Sequence, residues 1–339
     1  FKKLIKLYNL FHYHYKNVKF HRFRKNSLLH LLSFADCFTW EDLPPKDPVT
    51  GNTSMGVWIR RINTTAVRIT TFGLSVYFLH SFTRNILSEE RFLMLDAWYP
   101  YDWSKSPVFE ITNVIQAIAT VGFAAFVYAF PPLYATLVLI ACSQLEKLRA
   151  TLSNIKQKCI LFNEKASDES KEQFQISEEM FSQMKEQLNN CVRLHQDIIR
   201  FTMELEDNFR TLFVGVFLIL MVTLCLASFS AVLRWGNALN VMQSVAVYFV
   251  LTIFVFLFCW FPSELTDQAD RVRDAAWNCD WVGTPVCFQR ALSILMTCAN
   301  KEIIMTAGNC VPVSKETMMN VSTAIITTQF PRTKRTKSK

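Results

Sequence analysis

The chain has 339 residues and a net charge of +8; 51% of it is apolar and 14% aromatic, but only 19% is charged. Soluble domains carry about 25% charged residues, so polar surface is short, and a mean hydropathy of +0.17 points away from the cytosol. Disorder and low-complexity architecture are excluded by 29 Phe against 8 Gly. In chain order, residues 1–33 are basic and aromatic, with Lys2, Lys3, Lys6, Lys16, Lys19, Arg22, Arg24 and Lys25 among Leu, Phe and Tyr. Such a segment suits an anionic inner leaflet or the cytoplasmic end of a span. It opens on Phe1 without a signal-peptide pattern, so N-terminal spans are expected to be missing. Residues 34–61 carry the loop signals DLPPKDP and TGNTS.

Uncharged runs follow. Residues 69–83 lie between Arg68 and Arg84, both of which can snorkel. Residues 111–145, 212–233 and 235–263 are charge-free over 35, 22 and 29 positions. About 20 mostly apolar residues cross the hydrocarbon core as a helix. Three such runs without strand-like alternation define an all-α, polytopic membrane helix bundle. Between them, residues 142–210 read as helical. Leu145, Leu148, Leu152 and Ile155 continue one span; after a polar break at 163–173, Ile176, Met180, Met184, Leu188, Cys191, His195, Ile198 and Thr202 recur at helical spacing. Two spanning helices are thus expected to run on into the cytoplasm and bundle there. The C-terminal part reads as two shorter helices broken around Gly308 and Pro312.

Lys and Arg number 11 in residues 1–61, three in 84–110, ten in 146–210, one in 234–240 and four in 264–301. The alternation places these segments in, out, in, out and in. The tail PRTKRTKSK adds five positive charges on the outer side. Ten cysteines show no CxxC pair, so reduced structural thiols are expected rather than a zinc site or disulfide framework. There is no His/Asp cluster, nucleophile motif or phosphate loop, hence no expected enzyme activity, metal or cofactor.

Two blocks carry a family resemblance. One is AWYPYDWSKSPVFEITNVIQ at 97–116, with LIACSQLEKL at 139–148; the other is ADRVRDAAWNCDW at 269–281, with FQRALSILMTCANKEIIMTAGNCVPVSKETMMNV at 288–321. In order and spacing they resemble insect odorant receptors, over roughly residues 28–330. The resemblance implies a seven-helix insect odorant receptor fold with the first one or two helices missing, a cytoplasmic N-terminus and an extracellular C-terminus. Family helix three matches about 60–84, four 109–142, five 205–233 and six 239–262; helix seven is split into about 285–301 and 314–330. The expected organisation is a cytoplasmic basic segment and loop at 1–59, and membrane helices three and four at 60–141 with extracellular loop 85–109. A cytoplasmic anchor extension at 142–204, membrane helices five and six at 205–262, an anchor helix and last helix at 263–330, and a tail at 331–339 complete it.

The resemblance further implies a tuning subunit, because the loop between helices four and five is short. Its partners would be a shared co-receptor subunit in a heterotetramer, small volatile odorants and the lipid bilayer, with no nucleic acid. Its location would be the plasma membrane of a sensory-neuron dendrite, multi-pass. Odorants are mostly apolar, so a pocket needs aromatic and aliphatic walls with few polar groups. The candidates are Phe72, Ser75, Val76, Phe78 and Leu79 on helix three; Phe109, Asn113, Gln116 and Thr120 on helix four; and Val245, Tyr248 and Phe249 on helix six. Val321, Ala324, Ile325 and Thr328 would line a pore, and Trp277, Trp281, Phe288, Leu292 and Leu295 would anchor subunits. The tail departs from the family pattern: Pro331 ends the helix, and a basic pore mouth repels cations. A gustatory receptor of the same fold and a solute transporter are the alternatives, though the main spans show neither internal repeats nor intramembrane carboxylates.

Overall fold

In the computed structural model the described residues are 19–38, 51, 54–87, 93, 99–102, 104–155, 173–233, 238–279, 281–308 and 311–329. Among them are seven helices and one short hairpin. The helices are α1 (Lys19–Cys37), α2 (Met55–Leu87), α3 (Val108–Ser153), α4 (Gln173–Leu233), α5 (Ala238–Trp277), α6 (Val286–Ala299) and α7 (Lys315–Gln329). Strands β1 (Thr306–Ala307) and β2 (Val311–Pro312) pair antiparallel between α6 and α7. The chain divides into two compact units, Phe1–Val18 with Val57–Thr136, and Lys19–Gly56 with Leu137–Lys339.

Helix α4 explains much of the second unit. At about 1.5 Å per residue its 61 residues span about 90 Å, three times the hydrocarbon thickness. Its two halves bury opposite kinds of face. Below Arg210 the seam Met184, Leu188, Cys191, His195, Ile198, Thr202, Leu205 and Phe209 is buried, with Phe201 beside it, while most positions between are polar. That 3–4 spacing is what packs one helix against others in water. Above Arg210 the exposed residues are themselves apolar: Leu218, Ile219, Val222 and Leu226 are each about three-fifths accessible. Within residues 180–226, the most apolar 18-residue window reaches a mean hydropathy of 2.4 with 22% of it buried. A core helix of a soluble protein would hide such a window; one facing lipid leaves it open.

Elements α1, α5, α6, α7 and β1 all touch α4. Leu31, Leu32 and Ala35 of α1 and Phe38 just after it are buried, and the Phe34 and Phe38 rings meet Phe201 edge-on at 5.8 and 5.4 Å. Above them His30 Nδ1 lies 3.1 Å from Glu204 Oε2. The second-unit part of α3 is buried on nearly every side from Leu137 to Leu148. At about 1.5–3 kcal/mol per fully buried large apolar side chain, this helix and the α4 seam form the core. Glu146, itself 7% exposed, accepts the Met55 backbone N–H at 3.0 Å. A carboxylate from α3 thereby caps the first turn of α2, whose N–H groups have no partner within the helix.

The break expected around Gly308 and Pro312 is the hairpin. Gly308 has φ +65°, and a Cβ there would lie 2.7 Å from Val214 Cγ2 of α4. Only glycine satisfies both the backbone and that approach. The hairpin is tied down by polar contacts. Thr306 Oγ1 donates to Glu206 Oε1 at 2.6 Å, and Thr266 Oγ1 donates to the Ile303 carbonyl at 2.7 Å. Prolines sit inside α3 (Pro131, Pro132) and α5 (Pro262) without ending either helix. Thr136 donates its hydroxyl to the Pro132 carbonyl at 2.6 Å, while the Pro262 carbonyl lies 3.2 Å from the Thr266 hydroxyl already given to Ile303.

Candidate functional site

Within the first unit the loop before α3 folds back onto that helix. Gln116 Nε2 donates to the Tyr99 phenol oxygen at 2.7 Å. Tyr101 OH lies 3.2 Å from Thr112 Oγ1, which spends its own proton on the Val108 carbonyl, so Tyr101 is the donor. The two tyrosine rings lie 5.2 Å apart. This strap covers one stripe of α3: Thr112 and Gln116 are 3% and 4% exposed, whereas Ile111, Val114, Ile115 and Ile118 are all more than half exposed. A turn follows the strap. Asp102 accepts the Ser104 hydroxyl at 2.6 Å and backbone N–H at 3.2 Å, and Lys105 Nζ stands 3.4 Å away. These donors, the Ser104 hydroxyl first, hold its carboxyl below the usual carboxylate range.

The sequence-nominated pocket residues divide between the units. In the first, Phe72, Val76 and Leu79 form an exposed stripe at positions i, i+4 and i+7 of α2. Phe78 is half-buried, and Ser75 donates its hydroxyl to the Thr71 carbonyl, leaving its oxygen as an acceptor. On α3, Phe109, Asn113 and Thr120 are half-buried around the buried Gln116, and Thr120 Oγ1 donates to the Gln116 carbonyl at 2.8 Å. In the second unit Tyr248 is half-buried and Phe249 is exposed on α5, while the Val245 side chain lies outside the described residues. The α2 and α3 nominations thus share one unit with the Tyr99–Tyr101 strap, which sequence reasoning did not nominate.

Of the anchor nominations, Phe288, Leu292 and Leu295 are 1–2% exposed, because they pack α6 inside its own chain. Trp281 is half-buried, its ring 6.4 Å from that of Trp277. The outward apolar surface here is Trp277, Val282, Val286 and Ile294, each at least three-fifths exposed. Of the pore nominations, Ala324 is exposed on α7, whereas the side chains of Val321, Ile325 and Thr328 lie outside the described residues. So does the basic tail. An open groove of about 370 Å³ runs along α4, lined by Gln196, Ile199, Arg200, Met203, Glu204 and Asp207. It holds none of the nominated residues. No cluster of metal-ligating side chains occurs among the described residues.

The sequence profile of the 7tm Odorant receptor family matches residues 40–325. Odorant receptor Or2 of Anopheles gambiae is 24% identical over 226 residues, covering 66% of this chain and 56% of that relative. Odorant receptor 83a of Drosophila melanogaster is 21% identical over 257 residues, with the same 66% and 56% coverage. The chain therefore spans a little over half the length of these relatives. Two solved structures of the insect olfactory receptor OR5 from Machilis hrabei share the fold, both over 90% of this chain. The first gives a TM-score of 0.71 at 14% identity over 74% of that protein. The other, in complex with eugenol, gives 0.69 at 15% identity over 73%. With the family profile running through all but the ends, and the olfactory-receptor helix arrangement retained, this chain belongs to the 7tm odorant receptor family of membrane-embedded receptors.

Proposed function

We propose that the chain is a tuning subunit of an odorant-gated, non-selective cation channel, assembled with a shared co-receptor in the plasma membrane of olfactory neuron dendrites. The observation that carries this reading is the uncovered apolar surface at the α5–α6 junction. Trp277, Val282, Val286 and Ile294 are 65%, 76%, 60% and 61% exposed, beyond the charge-free run that ends at residue 263. Apolar patches outside lipid are normally covered by a partner, here another subunit. In this reading residues 142–204 and the 263–301 region form the cytoplasmic anchor. Val321, Ala324, Ile325 and Thr328 on α7 line the pore, and the outer ends of α2, α3 and α5 line the odorant pocket. The pocket walls are Phe72, Ser75, Val76, Phe78 and Leu79, then Phe109, Asn113, Gln116 and Thr120, then Val245, Tyr248 and Phe249.

The test is co-expression with an odorant co-receptor in cells lacking other olfactory receptors. The expected result is a volatile-evoked cation current in excised patches without added nucleotide. That current requires both chains. A substrate-dependent flux without current would replace this reading with a transporter.

A further inference from the structure

The strap before α3 adds a phenol hydroxyl beside the nominated residues of that helix. Gln116 Nε2 donates to the Tyr99 oxygen at 2.7 Å. This bond uses an acceptor site of the phenol and leaves its proton, for which no acceptor is found among the described residues. Tyr99 is half-buried, so part of its side chain stays accessible. A hydroxyl that already accepts a hydrogen bond becomes a better donor. The ring is held from the other side by Tyr101, which is itself pinned to Thr112. Gln116 and Thr112 are nearly inaccessible, so the geometry is fixed by packing as well as by hydrogen bonds.

We propose that Tyr99 is a ligand-contacting residue that donates its phenol proton to an oxygen acceptor on an otherwise apolar odorant, with Gln116 as its positioning residue. The chemical class is a neutral molecule with a carbonyl or ether oxygen and an aliphatic or aromatic body. Ser75 on α2 and Thr120 on α3 spend their hydroxyl protons on their own helices. They can accept but not donate. Tyr99 therefore supplies a hydroxyl donor that Ser75 and Thr120 do not, and its loss has a different effect on oxygenated and hydrocarbon ligands. A single neutral hydrogen bond contributes on the order of a few-fold to tenfold in affinity.

This inference rests on the pocket reading given above. The experiment compares dose–response curves of the co-expressed channel for 2-alkanones of six to ten carbons and for their methylene isosteres, such as 2-octanone and 2-methyl-1-octene. The expected wild-type result is about tenfold greater sensitivity to the ketone. Tyr99→Phe should remove that preference by weakening the ketone response and leave the isostere within about twofold. Equal sensitivity of the wild type to both members of each pair overturns the proposal without any variant. So does a Tyr99→Phe channel that retains the preference or loses both responses equally. A complex that conducts with other volatiles but with no ketone overturns the inference alone, whereas a chain that neither assembles nor conducts overturns the channel reading too.

Discussion

The Ser263 hydroxyl on α5 accepts the backbone N–H of Lys315 at 3.0 Å while donating to the Cys259 carbonyl at 3.0 Å. Lys315 is the first residue of α7, so a side chain from one helix caps the N-terminus of another. Asp267, one turn further along α5, stands 3.3 Å from the Lys315 ammonium. Glu146 does the same for α2 through Met55. Both caps lie at helix ends that the second unit holds, and both tie a helix start to a buried or half-buried polar group.

Ser263→Ala should therefore weaken the seating of α7. An N-cap hydroxyl contributes about 1 kcal/mol, which in a chain of 339 residues lowers the midpoint of thermal unfolding by about 1–2 °C. Asp267→Asn should shift it by less, because its ion pair with Lys315 is half exposed and such pairs contribute at most about 1 kcal/mol. Unfolding of the detergent-solubilised receptor followed by intrinsic fluorescence ranks the two. The reverse order would sink the cap argument.

Gly308→Ala should be the most damaging small change in the α6–α7 connection. It places a Cβ 2.7 Å from Val214 Cγ2 and a side chain at φ +65°. Backbone strain of this kind costs on the order of 1–3 kcal/mol before the clash is counted. Adding Val214→Ala removes the clash but not the strain. The double variant should recover part of the surface expression lost by the single one, as read by surface biotinylation; full recovery would show that the backbone conformation is not strained.

Acid should loosen the charged half of α4 through His195. This ring is 4% exposed and burial lowers its pKa from the ordinary value of 6.5. The native state then favours the neutral form. Its contribution is present above the unfolded value of about 6.5 and is lost as pH falls from there through the lowered native value. Thermal midpoints measured from pH 7.5 down to 5.5 should fall for the wild type. They should fall less for His195→Leu, which has no proton to bind at that site. Parallel curves would remove His195 from the account.

On α6, neighbouring positions should separate assembly from folding. Ile294 is 61% exposed and Leu292 is 1% exposed. Ile294→Asp should leave the thermal midpoint of the isolated chain within about 1 °C and reduce co-purification with a co-receptor by at least tenfold. Leu292→Asp buries an unpaired charge and should prevent folding altogether. Unchanged co-purification of the Ile294 variant would show that this face is not the subunit contact.

Sequence by itself determined the class and the elements. Charge-free runs of 22 to 35 residues have no stable home in water, and helices are what satisfies the backbone in lipid. The seam from Met184 to Thr202 was legible because burial on one helix face imposes a 3.6-residue period. The break at Gly308 was legible because glycine and proline interrupt helices. Contacts between distant residues were not. Phe288, Leu292 and Leu295 looked like partner-facing aromatics and aliphatics, yet they pack inside the chain, because periodicity identifies an apolar face without naming what covers it. Gln116 was visible as a polar residue on α3, but its partner Tyr99, Glu146 as a cap for Met55, and Ser263 as a cap for Lys315 are brought together by folding across 17, 91 and 52 positions. Such bonds leave no local pattern, since a hydrogen bond is set by distance and angle in space; only the tertiary structure decided them.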